Sequence, residues 1–139
     1  MKKIFKLTFF LLIFSNPLLA KNKYLEEGID LFKNKKYVEA KFKFEQDIVL
    51  NPKSEISYLY LSKIFKNLDK KDLQEHNLNT VILLNPKNEE ATFNLAKLKL
   101  DSSDYKKSKE LNERLNSFCN NLCNESKKLK KEIENLSKK

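Results

Sequence analysis

The sequence repeats itself with a period of 34 residues. Residues 48–53, which read Ile-Val-Leu-Asn-Pro-Lys, recur as residues 82–87, which read Ile-Leu-Leu-Asn-Pro-Lys. The same offset relates the small residues Gly28, Ser62 and Ala96, the tyrosine pairs Tyr24 with Tyr58 and Tyr37 with Tyr105, and the pair Ala40 with Ser108. One offset shared by independent positions indicates a structural unit that occurs in tandem.

Each unit is expected to be a pair of antiparallel helices. Pro52 and Pro86 end a unit, because the residue before a proline is driven out of helical geometry. One glycine and three prolines are too few for the turns of a β-sandwich or β-barrel. A single hairpin cannot cover its own apolar face, so the units must stack. We predict helices near residues 22–34, 37–50, 54–67, 71–84, 88–101 and 104–118, with Ser54, Asn88 and Asp104 as N-caps and Asp69 or Asp72 in that role for the middle unit.

This pattern resembles the tetratricopeptide repeat (TPR) family, whose unit of about 34 residues follows the order small, Tyr, Ala, large and Pro. Residues 25–52 match the order best. Lys71 and Gln74 replace the Tyr and Ala of the middle unit, Glu27 stands where Leu is usual, and Asp47 stands where Ala is usual. The resemblance implies an all-α fold, a TPR-type α-solenoid of three helical hairpins plus a C-terminal capping helix, wound as a right-handed superhelix.

The first twenty residues are typical of a secretory signal peptide. Lys2, Lys3 and Lys6 precede an uncharged apolar run at residues 7–14, and Ala20 offers a small residue at the cut. The run is far shorter than the roughly 20 residues of a membrane-spanning helix. We therefore expect cleavage after Ala20 and a periplasmic or secreted bacterial protein. An uncleaved anchor is the alternative, and it would be the protein's only attachment to a membrane.

The sequence divides into a signal peptide at 1–20, three repeats at 21–54, 55–88 and 89–120, and a capping helix with a charged tail at 121–139. In the tail, Leu129, Ile133 and Leu136 recur at helical spacing among charged residues. Solenoids need an end helix with one polar face to stop further stacking. The alternative for this helix is that it folds back into the groove of the stack.

The charge of the chain bears on its partners. The formal net charge is +9, from 28 basic and 19 acidic residues. Loss of Lys2, Lys3 and Lys6 with the signal peptide leaves 25 basic and 19 acidic residues, a net charge of +6. A basic protein often binds nucleic acid, but export argues against that partner. Acidic proteins or anionic lipid surfaces are better candidates.

The resemblance also implies where a partner would bind, because the first helices of TPR units line a concave groove that holds a peptide. The matching positions are apolar with interspersed lysines, which suits a protein segment with hydrophobic anchors and acidic or C-terminal carboxylate groups. They are Leu25, Ile29, Phe32, Ile56, Leu59, Lys63, Lys66, Phe93, Lys97 and Leu100. The Lys/Asn clamp of chaperone-tail-binding TPR proteins is not reproduced, since Leu25 and Ile29 occupy two of its positions.

Few residues could carry chemistry. His76 is the only histidine, and one glycine cannot build a phosphate loop. We predict no enzyme, no metal and no cofactor, but a protein-interaction scaffold of the bacterial envelope. Cys119 and Cys123 are the only cysteines, and in an oxidising compartment an even count favours a structural disulfide. The alternatives are a thiol–disulfide or assembly factor that uses this pair, and a structural subunit that self-associates.

Overall fold

The computed structural model describes residues 17–137, with side chains from residue 23 onward. The charged start and apolar run of the predicted signal peptide lie outside the described residues. Within that range the chain forms helices and no strand, which confirms the predicted all-α fold of three hairpins and a C-terminal helix. The helices are α1 (Pro17–Lys33), α2 (Tyr37–Leu50), α3 (Glu55–Asn67), α4 (Lys71–Leu84), α5 (Glu89–Asp101), α6 (Tyr105–Phe118) and α7 (Cys123–Leu136).

The helices stack as consecutive hairpins. Short turns join α1 to α2, α3 to α4 and α5 to α6, so each pair is antiparallel and packs along its length. The second helix of each hairpin also packs against the first helix of the next, which places α2 on α3, α4 on α5 and α6 on α7. First helices contact one another more lightly, α1 with α3 and α5 with α7. This order of contacts is that of a solenoid.

Small residues permit the close approach within hairpins. A Cβ atom added at Gly28 would lie 2.8 Å from Cε1 of Phe44, so α1 and α2 could not keep their spacing with a larger residue there. The equivalent Ala96 of α5 is fully buried, and its carbonyl accepts a hydrogen bond of 2.8 Å from the Ser108 hydroxyl of α6. The two small residues Ala96 and Ser108 therefore meet across the third hairpin.

An aromatic cluster fills the wedge between the first two hairpins. The Phe44 and Tyr60 rings are stacked with centroids 5.0 Å apart, and Phe32 meets Tyr60 edge-on at 5.1 Å. Tyr37 lies against Phe32 at 5.4 Å. Tyr58 packs against the second core cluster, which centres on α5.

The turns within hairpins rest on left-handed residues that are not glycine. Lys35, Asp69 and Ser103 have φ values of 60°, 51° and 60°, and they are spaced by the repeat. The backbone amide of the residue after each donates a hydrogen bond to a carbonyl in the last turn of the preceding helix, as that of Lys36 does to Leu31 at 2.9 Å. This bond satisfies a carbonyl at the C-terminal end of the helix. Asp69 thus ends α3, which corrects its predicted role as an N-cap of α4. Lys70 holds that position and makes no side-chain cap.

Two of the three predicted N-caps form. The side chains of Asn88 and Asp104 accept hydrogen bonds from the amides of Ala91 at 2.7 Å and Lys107 at 3.0 Å. Ser54 occupies the N-cap position of α3, as predicted, but its side chain accepts no capping hydrogen bond from the helix. Its hydroxyl donates to the Ser57 hydroxyl at 3.1 Å, because Ser57 belongs to a buried polar chain with Asp47.

Helix α7 occupies the place of the first helix of a fourth repeat. Leu129 follows Leu61 and Leu95 at the 34-residue offset, and all three are buried. A buried amide–hydroxyl pair joins α7 to α6, since the Ser126 hydroxyl donates to Asn112 Oδ1 at 3.0 Å. The helix therefore extends the stack and does not fold into the groove.

Charged residues close both ends of the stack. Glu27 of α1 occupies the position of Leu61 in α3, and it pairs with Lys43 of α2 at 2.7 Å. The hydrogen bond from Lys43 lowers the pKa of Glu27 below its ordinary value. At the other end, the exposed Lys130 of α7 is equivalent in the repeat to Ala96 of α5, which contacts the second helix of its hairpin. Among residues 17–137 no further helix packs on the face of α1 that carries Glu27, which is the position of an apolar residue in the repeat pattern.

Candidate peptide-binding groove

The first helices α1, α3, α5 and α7 align side by side along one face of the stack, which we call the groove. Leu25, Ile29 and Phe32 are half-buried on α1, where they also pack against the core cluster around Phe44. On α3, Leu59 is half-buried and Ile56 is 48% exposed. The apolar part of the predicted surface is therefore partly covered at α1 and more open at α3.

Leu100 corrects the predicted set. Its side chain is only 4% exposed, within the core cluster that contains Leu129 and Ile133 of α7. It cannot contact a partner, because α7 packs over the last turn of α5 and buries it in the core.

Phe93 of α5 lies between two open pockets. The first, which we call the loop pocket, has a volume of about 430 Å³ and reaches the turn between α6 and α7. Its lining residues are Glu89, Glu90, Phe93, Asn94, Asn121 and Leu122. The second, which we call the α7 pocket, has a volume of about 230 Å³. Its lining residues are Phe93, Lys97, Glu125, Lys128, Leu129 and Glu132. The two pockets put a half-buried aromatic ring at the centre of the C-terminal half of the groove.

A row of lysines crosses the same half. Lys63, Lys97 and Lys131 are spaced by the repeat on α3, α5 and α7, so they occupy equivalent positions, and we call them the lysine row. Lys63 is paired with Glu90 at 2.8 Å. Lys97 and Lys131 have no carboxylate within 4 Å among the described residues. Two cationic groups are thus available to an acidic partner. Lys131 was missed by sequence reasoning, although the repeat offset from Lys97 would have found it.

Glu89 fixes the wall of the loop pocket. Its carboxylate accepts hydrogen bonds from three consecutive amides of the α6–α7 turn, those of Asn120 at 2.7 Å, Asn121 at 2.9 Å and Leu122 at 2.8 Å. Glu55, one repeat earlier, accepts hydrogen bonds from the side chains of Asn85 and Asn88 in the turn between α4 and α5. A glutamate at the start of a first helix therefore holds the next inter-repeat turn in two successive repeats, which the sequence pattern had not revealed.

A disulfide brackets the same turn. The sulfur atoms of Cys119 and Cys123 lie 2.03 Å apart, and their Cα atoms lie 5.3 Å apart. Helix α6 ends at Phe118 and α7 begins at Cys123, so the bridge spans a turn and not a continuous helix. Residues 120–122 are therefore held by a covalent bond at their flanks and by Glu89 at their amides.

Comparison with solved structures identifies the architecture. The chain is similar to the TPR2B domain of yeast Sti1 in its complex with pHsp70, with a TM-score of 0.78 and 14% identity over 85% of this chain and 98% of that one. It is also similar to the Yersinia enterocolitica type III secretion chaperone SycD in complex with a peptide of the translocator YopD, at 0.76 and 17% over 90% and 98%. The first TPR of Spaghetti (RPAP3) bound to the HSP90 peptide SRMEEVD gives 0.74 and 20% over 84% and 93%.

The chain has the TPR fold. At these identities the likeness establishes the fold alone. No protein-family model matches the sequence, and a search of curated proteins found no relative. The groove of this TPR fold is formed by its first helices, which carry the lysine row and Phe93.

The remaining candidates for chemistry are sparse in this TPR fold. His76 is exposed on α4. Among residues 17–137 there is no group of three or more His, Cys, Asp or Glu side chains placed to hold a metal ion. No helix in that same stretch combines the length and hydrophobicity needed to cross a lipid bilayer.

The hydrogen bonds between the Glu89 carboxylate and the turn should depend on pH. The amide of Leu122, followed by those of Asn120 and Asn121, lowers the pKa of Glu89 below its ordinary value near 4.5 and outweighs the opposing effect of burial. A lowered folded-state pKa gives a contribution that is complete above about pH 4.5 and is lost as pH falls through the folded value. Protection factors for amide exchange at residues 120–122 should therefore fall on acidification below that pH.

The matched variant is Glu89→Gln, which keeps the shape of the side chain but does not titrate. Its protection factors at residues 120–122 should be lower than those of the parent at pH 6 and nearly constant from pH 6 to pH 3. A parent protein whose protection does not change over that range would contradict the assigned role of Glu89.

Proposed function

We propose that this protein is a non-catalytic scaffold that binds a segment of another protein in its TPR groove. The observation that carries the proposal is the meeting of the two pockets at Phe93 with the lysine row alongside. An aromatic ring in an open cleft suits an apolar anchor residue. Lys97, which lines the α7 pocket beside Phe93, and Lys131, one repeat further on α7, suit acidic residues on one side of that anchor. The preferred partner is therefore an extended or helical segment with one large apolar residue and several carboxylates.

The structural neighbours support binding in general. The SycD structure contains a peptide of a translocator, and the Spaghetti structure contains an HSP90 peptide that ends in two glutamates, a valine and an aspartate. Those ligands belong to those proteins. Here two of the Lys/Asn clamp positions carry Leu25 and Ile29, so an acidic partner of this chain would contact mainly α5 and α7.

The proposed place of action is the bacterial envelope. The order of positive start, short apolar run and small residue at positions 1–20 supports export. The bonded pair Cys119 and Cys123 is consistent with an oxidising compartment. A net charge of +6 after loss of the signal peptide would favour acidic partners at low ionic strength.

The two alternative functions differ in what supports them. Thiol–disulfide exchange is supported by the pair Cys119 and Cys123 on a surface turn. A reductase or isomerase assay that loses activity in Cys119→Ser while the fold is kept would favour it. Self-association through end repeats is disfavoured by the charged residues Glu27 and Lys130 at the two ends, and light scattering on a size-exclusion column tests it.

The main test uses two pools of synthetic fluorescent peptides. One pool carries a single Leu, Ile or Phe among Asp, Glu and Ser, and the other has Lys and Arg in place of the acidic residues. Fluorescence anisotropy should show binding of the acidic pool that weakens with salt, and little binding of the basic pool. Lys97→Glu should weaken acidic-pool binding about tenfold or more, and Phe93→Ala should do the same.

Matched substitutions outside the groove serve as controls. Lys106→Glu makes the same charge change at an exposed residue of α6, and Phe42→Ala removes the same ring from an exposed position of α2. Both should bind like the parent. Equal binding of the two pools, or losses as large in the controls as in the groove variants, would move the partner site elsewhere or remove it.

A further inference from the structure

The loop pocket depends on the conformation of one short turn. Asn121 and Leu122 form its outer wall, opposite Glu89, Glu90 and Phe93 of α5. The amides of residues 120–122 are donated to Glu89. Any movement that takes these amides away from Glu89 also takes the wall away from Phe93.

An alternative conformation is available to the turn. If α6 continued into α7, the amides of residues 120–122 would bond to the carbonyls of residues 116–118 and leave Glu89. In a continuous helix the Cβ atoms of residues four apart lie about 5–6 Å from each other, which is beyond the roughly 3.5–4.5 Å that a disulfide requires. In the turn the two sulfur atoms reach bonding distance. The disulfide thus favours the turn, and Glu89 stabilises it further. Without the bridge, the turn is held by Glu89 alone and competes with fraying or helix continuation.

We propose that the Cys119–Cys123 disulfide is a redox-dependent brace of the loop pocket, so that the oxidised protein captures its partner more tightly than the reduced protein. This inference rests on the proposed function of the groove. The step is an exchange with a dithiol reductant, in which the Cys119–Cys123 bond breaks, the reductant gains a disulfide, and two electrons and two protons pass to the two cysteine thiols. The binding subsite that responds is the loop pocket beside Phe93, which takes the apolar anchor of the partner.

The proposal differs from a role of the cysteines in catalysis. A thiol–disulfide catalyst would act on the disulfides of a substrate. A brace acts on the shape of its own pocket, and its effect is measured on a peptide that contains no sulfur.

The experiment has a readout that needs no ligand and one that does. First, ¹³C NMR of the Glu89 carboxyl follows its titration in the oxidised protein, in the protein reduced with dithiothreitol, and in Cys119→Ser/Cys123→Ser. The titration of Glu89 should move toward higher pH in the last two, because the three amide donors leave. Circular dichroism of each form checks that the helices remain.

Second, anisotropy measures the affinity of the acidic peptide pool for the same three forms. Affinity should fall at least fivefold on reduction and equally in the double serine variant, which should not respond further to dithiothreitol. An unchanged Glu89 titration on reduction overturns the proposal, and so does a shifted titration with unchanged affinity. A third outcome is that the oxidised protein binds no peptide while the Glu89 titration still shifts on reduction. That result would refute the proposed binding groove, and with it the redox control of partner binding. It would still show that the turn responds to reduction.

Discussion

Phe44→Ala should lower the free energy of unfolding by about 3–5 kcal/mol, measured by urea denaturation followed by circular dichroism. The Phe44 side chain of α2 is fully buried against α1. It packs on the bare backbone of Gly28, where any Cβ would come within 2.8 Å of its ring, and it stacks on Tyr60 of the next hairpin at 5.0 Å. Its removal would leave a cavity where two hairpins meet, and Gly28 offers no side chain to fill it. A domain of this size is typically stable by only about 5–15 kcal/mol.

The same helix supplies the control. Phe42 lies two residues away on α2 and is 58% exposed, so Phe42→Ala should change the free energy of unfolding by less than about 0.5 kcal/mol. Near-equal losses for the two variants would mean that the aromatic cluster does not organise the first two hairpins.

The architecture could be predicted because the repeat imposes it. Positions that must be small, such as Gly28 and Ala96, recur at the period at which hairpins stack, and Pro52 and Pro86 mark the boundaries between hairpins. These constraints act through backbone geometry and are visible in single residues. The all-α stack could therefore be predicted from the repeat and from its resemblance to the TPR pattern, although no protein-family model matches the sequence.

Details that depend on several residues at once could not be predicted in the same way. The left-handed turns fall on Lys35, Asp69 and Ser103, which do not share a side-chain type that marks such a turn. Leu100 appeared to be a groove residue, because its position faces the groove in other repeats. It is buried here, since the next helix belongs to the stack and covers it.

The missed part of the site shares one cause. Lys131 and the amides of residues 120–122 lie at or beyond the end of the third repeat, where we predicted a capping helix, with a helix folded into the groove as the alternative. Once α7 is placed as the first helix of a fourth repeat, the period extends to Lys131. The grip of Glu89 depends on backbone amides, which have no residue signature and become visible only in three dimensions.

Ser57→Ala should lower the free energy of unfolding by about 1–3 kcal/mol, the second largest loss we expect. Asp47 of α2 is fully buried, and its Oδ2 atom accepts a hydrogen bond of 2.5 Å from the Ser57 hydroxyl of α3, while its Oδ1 atom has no partner among the described residues. Removal of the hydroxyl would leave a buried carboxylate without this donor. Such a group costs more than the lost hydrogen bond itself contributed.

The double variant Asp47→Ala/Ser57→Ala separates that cost from simple loss of packing. It places alanine at position 47, where the TPR pattern has alanine, and removes donor and acceptor together, so its loss should be smaller than that of Ser57→Ala alone. Ser117→Ala, at an exposed serine of α6, should stay within about 0.5 kcal/mol of the parent. A double variant less stable than Ser57→Ala would mean that Asp47 stabilises the junction of the first two hairpins by itself. In that case aspartate at position 47, in place of the alanine of the repeat pattern, stabilises the stack. If the double variant is instead the more stable of the two, the buried Asp47 carboxylate is accommodated only because the Ser57 hydroxyl donates a hydrogen bond to it.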